Sequence, residues 1–166
     1  MQTLSQIFTV SLTIIFISGC ASMSQPKRTA YTGADNVGTV TPEMLIGNWN
    51  VKLLNPIEGE TASGVKANYE ADGAVVMNVT PQSSASPMGT IALEMVGAWS
   101  IEGDIVVVQL KSMKETSGNK MASMIVGMMG NMKEKMGGKA NIYEASSDRV
   151  VLVSDQGQAQ ELTRIQ

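Results

Sequence analysis

Apolar and polar side chains alternate through much of the chain from Glu43 onward, the pattern of strands with one buried face. Gly47–Leu53 follows it, and Asp72-Gly73 is a strong hairpin signal between two further runs. The pattern predicts about eight short antiparallel strands, at residues 47–53, 65–70, 74–79, 89–101, 105–110, 140–145, 149–153 and 158–165. That number of strands, joined by hairpins, suffices for a closed barrel that holds side chains or one small ligand.

A methionine-rich segment separates the fifth and sixth predicted strands, and its apolar positions repeat at helical spacing. Asn119 or Ser117 can cap the start of this helix, and Gly137-Gly138 can end it. Each internal glycine weakens a helix by about 1 kcal/mol relative to alanine, so we expect it to need a surface to pack against. An amphipathic helix over residues 119–136 would gather the apolar side chains on one broad face: Met121, Met124, Ile125, Met128, Met129, Met132 and Met136.

This methionine face permits three interpretations. Packing against the barrel as ordinary core is the one that the spacing favours, because helical burial already explains it. A lid over an apolar pocket, or a surface for lipid or a partner, would suit the flexible thioether side chains. Capture of Cu(I) or Ag(I) is the third interpretation, since soft metals prefer sulfur. The ligands would then be Met121, Met124, Met128 and Met132.

A separate apolar run, Ile7–Ile17, lies near the N-terminus and leads into Ser18-Gly19-Cys20. The run is shorter than the roughly 20 apolar residues of a spanning helix and has the length of a signal-peptide core. Its ending resembles the lipobox of bacterial lipoproteins, an apolar residue and two small residues before a cysteine. The resemblance implies that residues 1–19 are removed and that Cys20 is lipidated and acylated. No Lys or Arg precedes the run, so an uncleaved signal anchor is the alternative.

The lipoprotein resemblance also implies a place in the cell. Several acyl chains on one cysteine anchor a protein stably in a bilayer, which is therefore the expected partner of Cys20. Lipoproteins that lack aspartate directly after the lipidated cysteine usually reach the outer membrane, and this position holds Ala21. We therefore expect the protein in the outer membrane, facing the periplasm. Residues 20–42 are rich in Ser, Thr, Gly and Ala, and we expect a flexible tether there, ahead of one domain over residues 43–166. No protein partner can be named.

Composition removes several classes of chemistry. Cys20 is the only cysteine and histidine is absent, which excludes a disulfide framework, a Ser-His-Asp triad and the usual zinc ligands. Twelve basic residues against fifteen acidic ones leave a net charge of −3, which argues against a nucleic-acid partner. The carboxylates are scattered and form no recognisable pair. An enzyme that works with carboxylates is therefore the third hypothesis, behind ligand binding and a structural role. We expect no cofactor.

Several short motifs of the β region resemble those of lipocalin-like proteins. Gly47-Asn48-Trp49 is similar to the Gly-x-Trp motif of their first strand, and Gly97-Ala98-Trp99 repeats it about fifty residues later. The resemblance continues through Tyr69 and Asp72-Gly73 and into Leu162–Ile165. It implies a calycin-type barrel in which a basic residue of the last strand, here Arg164, packs over Trp49. An open sandwich or a partly open barrel is the alternative.

The function that the resemblance implies is the binding of a small hydrophobic ligand or lipid, by analogy of fold alone. The runner-up is a structural or interaction module of the cell envelope with a filled core. A cavity open to solvent would favour the first hypothesis, and a filled barrel the second.

Overall fold

The computed structural model describes residues 29–35, 37, 40–56, 63–81, 91–129 and 137–166. The predicted signal peptide, the lipidation site Cys20, and Met132 and Met136 lie outside the described residues. The elements follow in the order α1 (Pro42–Leu45), β1 (Gly47–Leu53), β2 (Ser63–Tyr69), β3 (Ala74–Pro81), β4 (Leu93–Glu102), β5 (Ile105–Glu115), α2 (Lys120–Met129), β6 (Gly138–Ala145), β7 (Arg149–Ser154) and β8 (Ala159–Arg164).

The eight strands form a closed up-and-down barrel. Each strand pairs antiparallel with its neighbours in the chain, and β1 pairs with β8 to close the ring. In that closing pair Trp49 lies opposite Arg164, and Leu53 lies opposite Gln160. The predicted eight-stranded antiparallel barrel is confirmed, and the open-sandwich alternative is wrong.

Alternation along each strand fills the barrel interior with apolar side chains, because successive residues point to opposite faces. β3 shows the pattern, with Val75, Met77 and Val79 buried and the residues between them more exposed. β4 departs from regular pairing at a bulge between Val96 and Gly97. A Cβ at position 97 would lie 2.5 Å from the backbone oxygen of Gln109. Gly97 therefore permits the close approach of β5 at this irregularity.

The two ends of the barrel differ in their connections. At one end, here called the turn end, α1 leads into β1 and short turns at residues 70–73, 103–104 and 146–148 join the strands. At the other, here called the loop end, lie the connections 54–62, 82–92, 116–137 and 155–158. α2 belongs to the loop end, because it follows β5 there.

The segment before α1 packs along the outer wall of the barrel. The Asn55 side-chain amide donates to the Thr29 carbonyl oxygen over 2.8 Å at the loop end. Tyr31 meets Tyr143 edge-on with ring centroids 5.7 Å apart, and its hydroxyl donates to Glu144 over 3.2 Å. With Leu54 and Tyr143, Tyr31 packs on an outward apolar cluster of β7 and β8, formed by Val151, Val153 and Ala159.

The prediction of a flexible tether over residues 20–42 is therefore wrong for the part that the structure describes. Val37 and Val40 also pack against the core before α1 begins at Pro42. A single tyrosine and two valines among Ser, Thr and Gly form no periodic pattern, so this contact could not be predicted from the local pattern of residues. Among the described residues, no helix has the length and hydropathy needed to cross a membrane.

Candidate functional site

The turn end is sealed around Trp49. This indole is fully buried, and its Nε1 donates to the carbonyl oxygen of Leu45 over 2.7 Å. Leu45 itself is fully buried at the end of α1. The short helix therefore folds across this end of the barrel, and the first strand begins beneath it.

Arg164 completes the seal, and its predicted contact with Trp49 is present. The guanidinium carbon lies 4.2 Å from the centroid of the Trp49 ring, a geometry that gains cation–π attraction. Its Nη1 donates to the Ile46 carbonyl oxygen over 2.8 Å, and its Nη2 donates to that of Met44 over 2.9 Å. The Arg164 guanidinium therefore connects β8 to the residues that lead into β1.

Gly47 explains the glycine of the Gly-x-Trp motif. It takes φ 127°, which a residue with a side chain rarely adopts, and a Cβ there would lie 2.5 Å from Arg164 Nη1. Glycine is therefore needed at position 47, because it leaves room for the Arg164 side chain that covers Trp49.

Trp99 lies toward the same end. Its Nε1 donates to the Glu70 carbonyl oxygen over 3.0 Å, and its ring meets that of Tyr69 edge-on at 5.3 Å. Burial raises the pKa of Tyr69 to about 12, because the phenolate would be desolvated there. The two indoles and this tyrosine fill the turn end, so a ligand of the barrel would have to enter through the loop end.

Gln160 is a polar side chain on the inner face of the barrel near the loop end. It shares that face with Leu162 and Arg164, since residues two apart on a strand point the same way. Its cross-strand partners are Leu53 and Leu152, and only 4% of it is exposed.

The Gln160 amide forms no side-chain hydrogen bond with any other described residue, although a buried amide normally has a partner. In the described part of the chain, no fully buried side-chain nitrogen or oxygen lacks a partner. The amide is therefore not completely enclosed by the protein. It can donate to and accept from a polar group inside the barrel. Gln160 could not be identified from the sequence, because only the pairing of β8 with β1 and β7 shows which of its faces points inward.

The Met-rich helix begins where the sequence predicts. The Asn119 side-chain oxygen accepts from the backbone N–H groups of Met121 and Ala122, each over 3.1 Å, as an N-cap does. The described helix ends at Met129, whereas the predicted one extends to 136. Residues 130–136 lie outside the described part of the chain.

The helix turns its methionines away from the barrel. Met121, Met124 and Met128 are 56%, 63% and 70% exposed, whereas Ala122 and Val126 are buried. Val126 belongs to the barrel core cluster. The favoured interpretation, in which the methionine face packs against the barrel, is therefore wrong for these three residues. The small Ala122 and the compact Val126 allow close approach to the barrel, and the pattern of large apolar residues does not reveal this.

Glu115 fixes the connection between β5 and α2. One carboxylate oxygen accepts from the backbone N–H of Ser117 over 2.6 Å and from its hydroxyl, and the other accepts from the Gly118 N–H over 3.0 Å. The Ser123 hydroxyl of α2 also reaches this carboxylate, over 3.4 Å. The hydrogen bond from the Ser117 hydroxyl is the main cause of the lowered pKa of Glu115. The carboxylate therefore holds the first turn of α2 in place.

A conventional metal centre is not found in the ranges that the structure describes, where no three His, Cys, Asp or Glu residues cluster. Met121, Met124 and Met128 share the exposed side of α2. The predicted thioether site stays a prediction.

No protein-family model matches the sequence, and no curated protein matches it. Among solved structures, the chain is similar to a crystal structure of a lipocalin-like protein from Bacteroides uniformis ATCC 8492. The two are 11% identical with a TM-score of 0.43, over 74% of this chain and 99% of that one. The fold itself is established by the strand pairing, a closed ring of eight up-and-down strands. It is a closed eight-stranded up-and-down β-barrel, an architecture that lipocalins also have.

Proposed function

We propose that this protein is a lipid-anchored lipoprotein of the bacterial cell envelope whose barrel binds one small hydrophobic molecule. The observation that carries the ligand proposal is the asymmetry of the barrel interior. One end is filled by Trp49, Trp99 and Arg164, and the inner face near the other carries the buried amide of Gln160, which the protein does not completely enclose.

The chemistry near the loop end indicates the class of ligand. Val79, Leu93 and Leu152 offer buried apolar surface at the loop-end halves of their strands. Apolar walls with one well-placed polar group are typical of small-molecule sites. A lipid-like molecule with an apolar chain and a hydroxyl or carboxyl group matches this set, with its polar group at Gln160.

The anchoring proposal rests on the sequence from Ile7 to Cys20, which precedes the described residues. Lipidation of Cys20 would place the protein in the envelope, in the outer membrane with the barrel in the periplasm. The function is non-enzymatic: the scattered carboxylates and the lack of histidine leave no recognisable set of catalytic groups.

The ligand proposal is tested with a fluorescent fatty acid, cis-parinaric acid, whose emission rises in an apolar site. We expect it to bind the protein and to accept energy from the two tryptophans. Gln160→Leu keeps the side-chain size but removes the hydrogen bond, and we expect affinity to fall by about 1 kcal/mol, roughly fivefold. Gln109→Leu, on the exposed face of β5, is the matched control and should bind as the wild type does.

Two results would contradict the proposal. One is the absence of probe binding together with no retained small molecule in native mass spectra of protein purified from its own envelope. That result would favour the alternative, an interaction module with a filled core. The other is equal weakening by Gln160→Leu and Gln109→Leu, which would remove Gln160 from the site.

A further inference from the structure

The exposed side of α2 is an apolar surface that the fold itself presents. Met121, Met124 and Met128 are spaced three and four residues apart and therefore share one side of the helix. Ala122 and Val126 fix the opposite side against the barrel, so the methionines cannot turn inward without dislodging them. Grouped exposed apolar side chains mark interaction surfaces. These three residues are called the Met surface below.

The chain reaches the barrel at the same end. The Asn55 side-chain amide donates to the carbonyl oxygens of Thr29 and Gly157, each over 2.8 Å, and its oxygen accepts from the Ala159 N–H over 2.8 Å. Asn55 and Gly157 lie in two loop-end connections. Thr29 is thereby held at the loop end, and Tyr31 after it packs on the outer wall of the barrel.

Thr29 lies only nine positions after Cys20 in the sequence. A fully extended chain spans at most about 3.3–3.6 Å per residue, so the distance from Thr29 to the lipidated cysteine cannot exceed roughly 30 Å. An anchor at Cys20 therefore tethers the barrel to the bilayer through its loop end.

We infer that the Met surface rests on the lipid bilayer that holds Cys20, so that the loop end of the barrel faces the membrane. This inference rests on the proposed lipid anchor. Flexible thioether side chains adapt to the irregular surface at the boundary of headgroups and acyl chains. Exposed Lys114 and Lys120 flank the start of α2, and Lys27-Arg28 directly precede Thr29. Basic side chains in this position favour anionic headgroups.

This orientation has a consequence for the ligand. A lipid-like molecule that leaves the membrane would meet the loop end first, the end near which Gln160 lies on the inner face of the barrel. The turn end, sealed by Trp49 and Arg164, would face away from the bilayer.

The test uses the full, lipidated chain reconstituted in vesicles of phosphatidylethanolamine and phosphatidylglycerol. Met124→Cys introduces one free thiol for an environment-sensitive nitrobenzoxadiazole label, since lipidation blocks Cys20. Asp104→Cys, exposed in the β4–β5 turn at the turn end, is the matched control. We expect a blue shift at position 124 and quenching there by spin-labelled lipids. The label at position 104 should emit as in water and escape quenching.

The outcomes separate this inference from the proposals beneath it. A protein that does not float with the vesicles overturns the anchor and the inference together. A protein that floats, but whose labels at 124 and 104 are equally water-exposed, overturns the inference alone. A blue shift at 124 that rises with protein density and resists lipid-borne quencher would show that a second copy covers the Met surface, which also overturns it. None of these outcomes depends on a ligand in the barrel.

Discussion

Arg164 occupies the space that a side chain on residue 47 would need. A Cβ at Gly47 would lie 2.5 Å from Arg164 Nη1, and the same guanidinium lies over the Trp49 ring. Two residues from opposite ends of the β region therefore depend on each other. This relationship closes the barrel at the point where its first and last strands meet.

Removal of the arginine should loosen this closure. We expect Arg164→Ala to lower the free energy of unfolding by about 2 kcal/mol, because it removes the cation–π contact and leaves the Met44 and Ile46 carbonyl oxygens without their donors. Urea unfolding followed by tryptophan fluorescence measures the loss, and the native emission should shift to the red. Thr163→Ala, on the exposed face of the same strand, is the control. Equal losses in the two variants would contradict a sealing role for Arg164.

The barrel could be predicted from the sequence because alternation and turn residues act locally. Every predicted strand is present, and the contact between Trp49 and Arg164 is the one that the resemblance to lipocalin-like proteins implies. Strand ends were less predictable: β5 continues to Glu115, beyond the predicted residue 110. The polar run after Leu110 hides this extension.

The parts that could not be predicted depend on contacts between distant elements. Periodicity identifies an amphipathic helix at α2, but the side that docks is decided by fit to the barrel, and Ala122 and Val126 fit where the methionines do not. Tyr31 packs on an outward apolar cluster, and that cluster forms only when β7 and β8 pair. Gln160 belongs to the same class, since it points inward only by virtue of strand register.

The Glu115 carboxylate should make the start of α2 sensitive to acid. Hydrogen bonds from the Ser117 hydroxyl and from nearby backbone N–H groups hold the pKa of Glu115 below its ordinary value of 4.5. A lowered pKa in the folded state means that the stabilisation is complete above that value and is lost as pH falls through the folded pKa. Hydrogen exchange at Met121–Val126 should therefore accelerate below about pH 4.5, once corrected for the intrinsic pH dependence of exchange.

Glu115→Gln should reproduce this loosening at neutral pH, since an amide cannot accept the same set of hydrogen bonds. We expect faster exchange in α2 while the strands keep their protection. Glu94→Gln on β4 is the control. If α2 in Glu115→Gln exchanged at the wild-type rate, the carboxylate would not be what holds the helix.

Ionisation of the buried Tyr69 should lower the stability of the barrel at alkaline pH. Its pKa is raised to about 12 by burial, so the folded state retains a proton that the unfolded chain releases near pH 10. The stabilisation is present below pH 10 and is lost as pH rises from about 10 toward 12. Phenolate absorbance should show a late step that Tyr69→Phe removes and Tyr143→Phe retains. A Tyr69 that ionised near pH 10 with the barrel intact would show that its site is open to water.

Cys20→Ser tests the anchor on which the envelope assignment depends. An apolar run that ends in Ile17-Ser18-Gly19-Cys20 presents the sulfur that a diacylglyceryl group would modify, and serine offers no thiol for that bond. We expect the variant to accumulate as an unprocessed precursor or to appear in the soluble fraction, whereas Ser22→Ala should be processed and retained as the wild type is. Mass spectrometry of the N-terminal peptide and membrane fractionation distinguish these fates. A wild-type chain that is itself uncleaved and carries no lipid on Cys20 would favour a signal anchor. Normal cleavage and normal membrane retention of Cys20→Ser would refute lipidation altogether, because the membrane would then hold the protein through some other part of the chain.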